Sequence, residues 1–160
     1  MPTFAIIELD GTERLARAMA GLLQPGDVVE LHGLVGAGKT TFVTRLAVEL
    51  GATEPARSPT YTVAHRYELA DGRALTHLDC YRATGPLDDA AWGDVEPYFE
   101  DAIACVEWPE PIRPWLADRP TWTIRLDTVV GRASARVADV TGPTPERSMA
   151  LLDAWTATRP

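Results

Sequence analysis

The order of apolar and polar residues along the 160-residue chain predicts a series of short strands. The segments concerned are rich in valine, isoleucine, threonine and aromatic residues, and turn pairs such as Pro25-Gly26 and Asp71-Gly72 separate them. We predict strands over residues 4–9, 27–31, 61–69, 74–81, 102–107, 121–127 and 135–140. The segments on either side of Asp71-Gly72 are expected to form an antiparallel hairpin.

Three other segments show the longer spacing of apolar residues that is typical of an amphipathic helix. In the first of them Leu15, Met19 and Leu22 lie on one stripe, and the same periodicity predicts helices over residues 11–23, 40–50 and 145–155. A strand, a loop and a helix followed by hairpins indicate an α/β fold with a mixed sheet. Because no repeat or long linker interrupts the chain, residues 1–160 are expected to form a single domain.

Composition and charge exclude some classes of function. Hydrophobic residues make up 46% of the chain and charged residues 24%, which is typical of a globular protein. The net charge of −8 repels a nucleic-acid backbone and the arginines form no cluster, so the chain alone is not expected to bind tRNA tightly. The N-terminal residues lack the pattern of a signal peptide, and no apolar run has the length of a membrane span. We therefore expect a cytoplasmic protein without membrane contact.

Residues 33–40 carry a glycine-rich motif between a predicted strand and a predicted helix. Their sequence, GLVGAGKT, fits the pattern G-x-x-x-x-G-K-[ST] of a phosphate-binding loop. The glycines let backbone N–H groups surround a phosphate, and the start of the next helix adds its positive dipole end. Lys39 is then expected to contact the β- and γ-phosphates, and the Thr40 hydroxyl to bind Mg²⁺. This context predicts a three-layer domain of the P-loop NTPase kind, with about seven strands flanked by helices.

Lys39 is the only lysine in the chain, and every other long basic side chain is an arginine. A compact ammonium fits inside a phosphate-binding loop as a point charge, whereas a planar guanidinium does not. Guanine-specific P-loop proteins usually read the base with an element that contains a lysine, and this chain has no second lysine to supply it. The sequence therefore favours ATP over GTP.

Two predicted strands each offer a carboxylate that a phosphate-binding loop needs as a partner for Mg²⁺. Five apolar residues precede Glu107, so a buried strand delivers its carboxylate at the C-terminal end, which makes Glu107 the stronger metal candidate. Asp79 is the second candidate. Trp108 directly follows Glu107 and is expected either to shield the site or to belong to the core. His77, like His65, has no metal-ligand spacing and is interpreted as a structural histidine.

A short hydroxyl-rich segment, Arg57-Ser58-Pro59-Thr60-Tyr61, lies between the predicted P-loop helix and these strands. Nucleotide switches carry a γ-phosphate sensor in this position. An ordinary turn that enters a strand has the same composition, so the segment by itself leaves both interpretations open.

Four motifs in this order and spacing resemble the TsaE (YjeE) family. They are G-x-x-G-A-G-K-T-T-F, R-S-P-T-Y-T, H-L-D-C-Y-R and V-E-W-P-E, and the resemblance runs from about residue 27 to 110. Members of this family are small bacterial P-loop ATPases that are needed to make threonylcarbamoyladenosine in tRNA. The resemblance implies a chain that binds ATP and Mg²⁺, hydrolyses ATP slowly when alone, and works in a complex with the TsaB and TsaD proteins.

The resemblance also implies roles for individual residues. Thr40 and Glu107 would hold Mg²⁺, Lys39 and Asp79 would serve catalysis, and Thr60 would act from a mobile switch loop. Thr12 and the Gly131-Arg132 turn would flank the adenine. The full set of implied nucleotide-binding residues is Thr12, Gly33, Val35, Gly36, Ala37, Gly38, Lys39, Thr40, Thr41, Ser58, Trp108, Gly131 and Arg132.

Two other functions stay open on the sequence. A small-molecule kinase has the same loop and a similar size, but it closes an arginine-rich lid over ATP, and no segment of this chain has that pattern. A nucleotide-regulated binding module without significant turnover is the second alternative. The resemblance partly supports it, because ATP hydrolysis in this family is slow without partners.

Overall fold

A mixed β-sheet forms the centre of the computed structural model, which describes residues 3–55 and 64–158. Within these residues the sheet has seven strands in the order β1-β7-β6-β2-β5-β4-β3. The strands are β1 (Thr3–Ile7), β2 (Val28–His32), β3 (Ala64–Glu68), β4 (Ala74–Asp79), β5 (Ala102–Glu107), β6 (Thr121–Val129) and β7 (Arg132–Thr141). The helices are α1 (Glu8–Ala20), α2 (Lys39–Glu49), α3 (Asp89–Val95) and α4 (Pro145–Ala157), and two single 3₁₀ turns span Glu96–Phe99 and Arg113–Leu116.

The centre of the sheet is parallel and its two sides are antiparallel. Strand β2 pairs in parallel with β6 on one side and with β5 on the other, and β5 pairs in parallel with β4. The outer pairs β1–β7, β6–β7 and β3–β4 are antiparallel. Every residue of β5 is buried, as expected for a strand with parallel neighbours and covered faces.

Alternation along the strands divides the core into two layers, one on each face of the sheet. Val29 belongs to a cluster that also contains the apolar stripes of α1, α2 and α4, for example Met19, Leu46 and Leu151. Val28, its neighbour in the chain, belongs to a second cluster formed with α3 and the two 3₁₀ turns. The described residues therefore form helix, sheet and helix layers, as the sequence predicts.

The pairing of the parallel strands brings the C-terminal ends of β2, β4 and β5 to one edge of the sheet. Leu31 of β2 lies opposite Glu107 of β5, and Glu107 lies opposite Asp79 of β4. In open α/β sheets this edge is where ligands bind. The glycine-rich loop begins at this same edge, directly after β2.

Most of the predicted elements are present, and some of their boundaries differ. Helix α1 begins at Glu8, so the predicted strand over residues 4–9 is two residues too long. Strand β4 ends at Asp79 and not at residue 81, because the Asp79 carboxylate accepts a hydrogen bond from the Tyr81 N–H (2.9 Å) and the chain turns there. The predicted hairpin is confirmed by the β3–β4 pairing, although residues 61–63 lie outside the described part. Helix α3 was not predicted, because seven residues are too few for a clear periodic pattern.

None of the helices in residues 3–55 and 64–158 has the length and apolar character needed to cross a membrane.

Candidate nucleotide-binding site

The glycine-rich loop connects β2 to α2 in a conformation that depends on its glycines. Gly33, Gly36 and Gly38 have φ angles of 139°, 80° and 105°, in the region that side chains with a Cβ atom disfavour. At Gly33 a Cβ atom would also lie 2.4 Å from the carbonyl oxygen of Leu126 in β6. The first glycine of the motif is thus required both by its φ and by the close approach of a neighbouring strand.

Helix α2 begins at Lys39 with Gly38 as its N-cap residue, and no side chain of the described residues caps this end. The first N–H groups of a helix have no partner within the helix, and they carry the positive end of its dipole. A helix start that lacks a side-chain cap and follows a glycine-rich loop can offer these N–H groups to an anion. The local structure therefore meets the requirement for binding a phosphate.

The Lys39 side chain is folded back into the loop. Its Nζ donates hydrogen bonds to the carbonyl oxygens of Gly33 (2.8 Å) and Leu34 (3.0 Å), and lies 4.4 Å from the centroid of the Trp108 ring. The residue is only 4% exposed. This burial lowers the pKa of the Lys39 ammonium below its ordinary value, while the nearby carboxylates of Glu107 and Asp79 oppose the shift. Lysine is therefore held as a buried cation by neutral acceptors, which the stronger acceptor oxygens of a phosphate could replace.

Glu107 at the end of β5 connects the loop helix to the sheet. Its Oε1 accepts hydrogen bonds from Thr40 Oγ1 (2.8 Å) and from His77 Nε2 (2.9 Å). Both Glu107 and His77 are almost fully buried. Glu107, the stronger metal candidate from the sequence, is thus in direct contact with Thr40 of the loop.

Asp79 at the end of β4 lies beside Glu107, one strand further along the sheet. Its carboxylate is half-buried, and it accepts the Tyr81 N–H as described above. Together the loop, the start of α2 and the two strand ends enclose a cavity of about 270 Å³. The residues that line it are Val35, Gly36, Gly38, Lys39, Thr40, Thr41, Asp79, Tyr81, Glu107 and Trp108.

The cavity offers oxygen donors, which Mg²⁺ prefers, but too few of them to complete the coordination shell of a metal without other ligands. Thr40 and Glu107 supply a hydroxyl and a carboxylate within 2.8 Å of each other. The described residues contain no group of three or more His, Cys, Asp or Glu side chains that could hold a metal ion. Magnesium typically takes one or two protein oxygens and completes its shell with water and substrate phosphates. The donor set is therefore compatible with Mg²⁺ bound together with a nucleotide.

Trp108 lies between the cavity and the core. Its ring lines the cavity beside Lys39 and lies 5.1 Å from the ring of Tyr81, and it also packs against the second core cluster. Its φ of 56° is unusual for a residue with a bulky side chain. Such backbone strain is typical of functional sites, where the surrounding structure enforces it.

Several other predicted residues lie elsewhere. Thr12 is in the second turn of α1 and not at its start, which is Glu8. Gly131 is in the turn between β6 and β7, and Arg132 is the exposed first residue of β7. None of these three is among the residues that line the cavity in the described part of the chain, so their contact with adenine stays a prediction. Ser58 and Thr60 lie in residues 56–63, outside the described residues.

The sequence predicts a strand over residues 135–140 but not the contact that this strand makes with the loop. Arg136 of β7 donates hydrogen bonds from Nε to the Ala37 carbonyl oxygen (3.2 Å) and from Nη2 to the Gly36 carbonyl oxygen (3.3 Å). Its position in the sequence contains no signal of this contact, because only the pairing of β7 with β6 brings it near the loop. Tyr81 also lines the cavity, and the sequence pattern assigns it no role there.

Comparisons with known proteins identify the family of this chain. A family model described as "Threonylcarbamoyl adenosine biosynthesis protein TsaE" matches residues 6–136. The tRNA threonylcarbamoyladenosine biosynthesis protein TsaE of Streptomyces coelicolor is 38% identical over 129 residues, which cover 79% of this chain and 86% of that protein. The protein of the same name from Bacillus subtilis is 36% identical over 132 residues, or 81% and 77% of the two chains.

A solved structure has a similar fold. The crystal structure of Bacillus subtilis YdiB matches with a TM-score of 0.69 and 26% identity, over 99% of this chain and 96% of that chain. The family model covers most of the chain, and the relatives exceed one third identity over most of their length. The chain therefore belongs to the TsaE family.

Proposed function

We propose that this chain binds ATP with Mg²⁺, hydrolyses it slowly when alone, and acts as an accessory protein in the formation of threonylcarbamoyladenosine on tRNA. In this role it would work with homologues of TsaB and TsaD. The names of its relatives, which are tRNA threonylcarbamoyladenosine biosynthesis proteins, support the process. The observation that carries the nucleotide part is the position of Lys39, buried in a glycine-rich loop at the uncapped start of α2.

Binding of ATP would begin with an exchange of hydrogen bonds inside the loop. Lys39 would leave the carbonyl oxygens of Gly33 and Leu34 and donate to the β- and γ-phosphates. The N–H groups at the start of α2 would donate to the same phosphates. Arg136 donates to the carbonyl oxygens of Gly36 and Ala37 and would hold this part of the loop backbone in place for the ligand.

Thr40 and Glu107 would hold Mg²⁺ beside the phosphates. When bound, Mg²⁺ neutralises negative charge on the β- and γ-phosphate oxygens. The Thr40 hydroxyl would bind the metal through an oxygen lone pair and could still donate its O–H to Glu107. Glu107 would keep its hydrogen bond from His77.

Asp79 would serve the attacking water. It lies on the strand beside Glu107 and lines the same cavity, but its carboxylate makes no hydrogen bond to Thr40 or Lys39 in the described structure. A carboxylate in this position could orient a water molecule and accept its proton as the oxygen attacks the γ-phosphorus and the bond to the leaving β-phosphate oxygen breaks. This step assigns different roles to the two carboxylates.

The partner of the ATP cycle would be a protein surface and not tRNA itself. The chain carries a net charge of −8, which disfavours binding to a polyanion. The Ser58–Thr60 segment, which lies outside the described residues, would respond to the γ-phosphate and Mg²⁺, and hydrolysis would reverse this response. The change in this segment would then alter binding to the TsaB and TsaD homologues, which carry the RNA and the transfer chemistry.

The test is recovery of a TsaB–TsaD pair on this chain in the presence of ATP, ADP or no nucleotide, together with ATP hydrolysis measured with and without that pair. We expect recovery to depend on the nucleotide and hydrolysis to increase with the pair. Equal recovery in the three states would contradict the switch. Nanomolar tRNA binding by the chain alone would contradict the division of roles, and phosphate transferred to a small acceptor would favour the kinase alternative.

A further inference from the structure

We propose that His77 is a positioning residue that holds the Glu107 carboxylate in the orientation required for Mg²⁺. This inference rests on the proposed metal role of Thr40 and Glu107. On the sequence alone His77 is a structural histidine of β4, and its burial agrees with that interpretation. Its hydrogen-bond partner assigns it a more specific role.

The contact between His77 and Glu107 is short and excluded from solvent. His77 Nε2 lies 2.9 Å from Glu107 Oε1, and the two side chains are 2% and 4% exposed. His77 of β4 lies opposite Cys105 of β5, and Glu107 is two residues beyond Cys105 on the same face of the sheet. The imidazole therefore reaches diagonally from β4 to the adjacent strand β5, and the parallel pairing fixes both backbones.

His77 differs from the other donor to Glu107 in having no proposed contact with the metal. In the described structure Glu107 Oε1 accepts two hydrogen bonds, one from Thr40 and one from His77. Because Thr40 would also bind Mg²⁺, His77 is the described donor to this buried carboxylate that is not itself a proposed metal ligand. A buried carboxylate that loses a donor is destabilised and more free to adopt other rotamers.

The second carboxylate oxygen is the one that this arrangement leaves for the metal. Glu107 Oε2 receives none of the hydrogen bonds made by the described residues, whereas Oε1 is occupied by His77. Partners of this kind, which bind a ligand and not the metal, typically change metal affinity by about 10- to 100-fold when they are removed. His77 would thus act on Mg²⁺ through Glu107 without touching the nucleotide.

Two substitutions of His77 separate this role from simple packing. His77→Leu fills a similar volume and removes the donor, while His77→Gln keeps an N–H donor at about the reach of Nε2. Thr76→Val is the matched control, because Thr76 is a fully buried neighbour on β4 that donates to the Tyr98 carbonyl oxygen (2.6 Å) away from the site. Where His77→Leu does not give a cooperative thermal transition, His77→Asn replaces it, since its amide is too short to reach Glu107.

Two affinities are measured. Calorimetry gives the affinity for a non-hydrolysable ATP analogue, in Mg²⁺ and in EDTA. Mn²⁺ is then titrated into the complex with the analogue, and electron paramagnetic resonance of free Mn²⁺ gives the metal affinity. We expect His77→Leu to weaken Mn²⁺ binding by about 10- to 100-fold, with the affinity in EDTA within about twofold of the parent. His77→Gln is expected to restore most of the metal affinity, and Thr76→Val to change neither value.

A folded His77→Leu protein with the Mn²⁺ affinity of the parent would overturn the proposal, and so would an equal loss in Mg²⁺ and in EDTA. A different result would reject the metal site itself. If the parent chain bound the analogue equally in Mg²⁺ and in EDTA, Thr40 and Glu107 would not hold a metal, and the positioning role would be rejected together with them.

Discussion

Arg136 on β7 donates a hydrogen bond from its guanidinium Nε to the Ala37 carbonyl oxygen at 3.2 Å, although 99 positions of the chain separate the two residues. A second bond from Nη2 reaches the Gly36 carbonyl oxygen at 3.3 Å. An outer part of the sheet thereby supports the backbone of the glycine-rich loop. Because the contact is with main-chain atoms, it depends on the shape of the loop and not on the side chains at residues 36 and 37.

Replacing Arg136 should therefore weaken nucleotide binding. We expect Arg136→Met to lower ATP affinity by roughly 5- to 30-fold, which corresponds to the loss of about 1–2 kcal/mol from two charge-assisted hydrogen bonds at a partly exposed site. Calorimetric titration with ATP measures the change. Arg125→Met is the control, since it removes the same charge from an exposed position on β6. Equal losses in the two variants would show that net charge alone is responsible.

Removing the loop lysine should have a larger effect than removing a cation elsewhere on the same helix. Lys39→Ala is expected to lower ATP affinity by about 10- to 150-fold, because a charge-assisted contact to phosphate is worth about 1.5–3 kcal/mol. Arg45→Ala removes a partly exposed cation of α2 that pairs with Glu13 of α1 at 3.2 Å, and it should leave the affinity nearly unchanged. A folded Lys39→Ala variant that binds ATP like the parent would reject the phosphate-binding loop.

The pKa of Lys39 predicts how ATP affinity and stability depend on pH. Burial lowers this pKa from its ordinary value of 10.5, and a bound phosphate would raise it again. ATP affinity should therefore be level near neutral pH and fall as the pH rises through the lowered pKa. The unfolded chain binds the proton more tightly, so the free energy of unfolding of the unliganded protein should rise with pH in the window below 10.5.

The two trends have opposite signs, and Lys39→Met provides the check on both. Calorimetry of ATP binding and thermal unfolding should be measured over the same pH range for both proteins. The difference between the two proteins isolates the contribution of the Lys39 ammonium from that of every other titrating group. Parallel pH profiles for the parent and Lys39→Met would contradict the assignment to this group.

Neutralising each of the two carboxylates at the strand ends should have a different effect. Glu107→Gln is expected to lose the dependence of ATP binding on Mg²⁺, because Glu107 is buried and contacts Thr40. Asp79→Asn should retain nucleotide and Mg²⁺ binding while ATP hydrolysis falls by about 100-fold or more, the range for loss of a general base. Binding in Mg²⁺ and in EDTA, with turnover measured separately, distinguishes them. Loss of Mg²⁺ dependence in Asp79→Asn alone would exchange the two roles.

The first glycine of the loop should not tolerate even a methyl group. We expect Gly33→Ala to lower the free energy of unfolding by at least about 1–3 kcal/mol, because its φ is 139° and the new Cβ would lie 2.4 Å from the Leu126 carbonyl oxygen. Gly21→Ala is the matched control, since Gly21 has no neighbouring atom within 4 Å and no positive φ. That change should be neutral or stabilise the protein by up to about 1 kcal/mol. Chemical denaturation of both variants tests the difference, which would vanish if the loop could relax.

Features that depend on neighbouring positions in the chain could be predicted from the sequence. The loop and Lys39 follow from a local pattern, because glycine freedom, a helix start and a strand end must be adjacent in the chain to form a phosphate-binding turn. The meeting of Asp79 and Glu107 was also predictable in part, since parallel strands bring their C-terminal ends to one edge. The short helix α3 was not, as its seven residues depend on packing against the second core cluster.

Only the tertiary structure decided which distant side chains support the site. Arg136 reaches the loop because β7 pairs with β6, and His77 reaches Glu107 because β4 lies in parallel register beside β5. Several strand orders satisfy the same alternation of apolar and polar residues, and each would bring different residues to the loop. The sequence by itself thus determined the phosphate-binding loop and its lysine, which are local in the chain. The strand order and register decided the supporting contacts, because these depend on pairings between segments that are far apart.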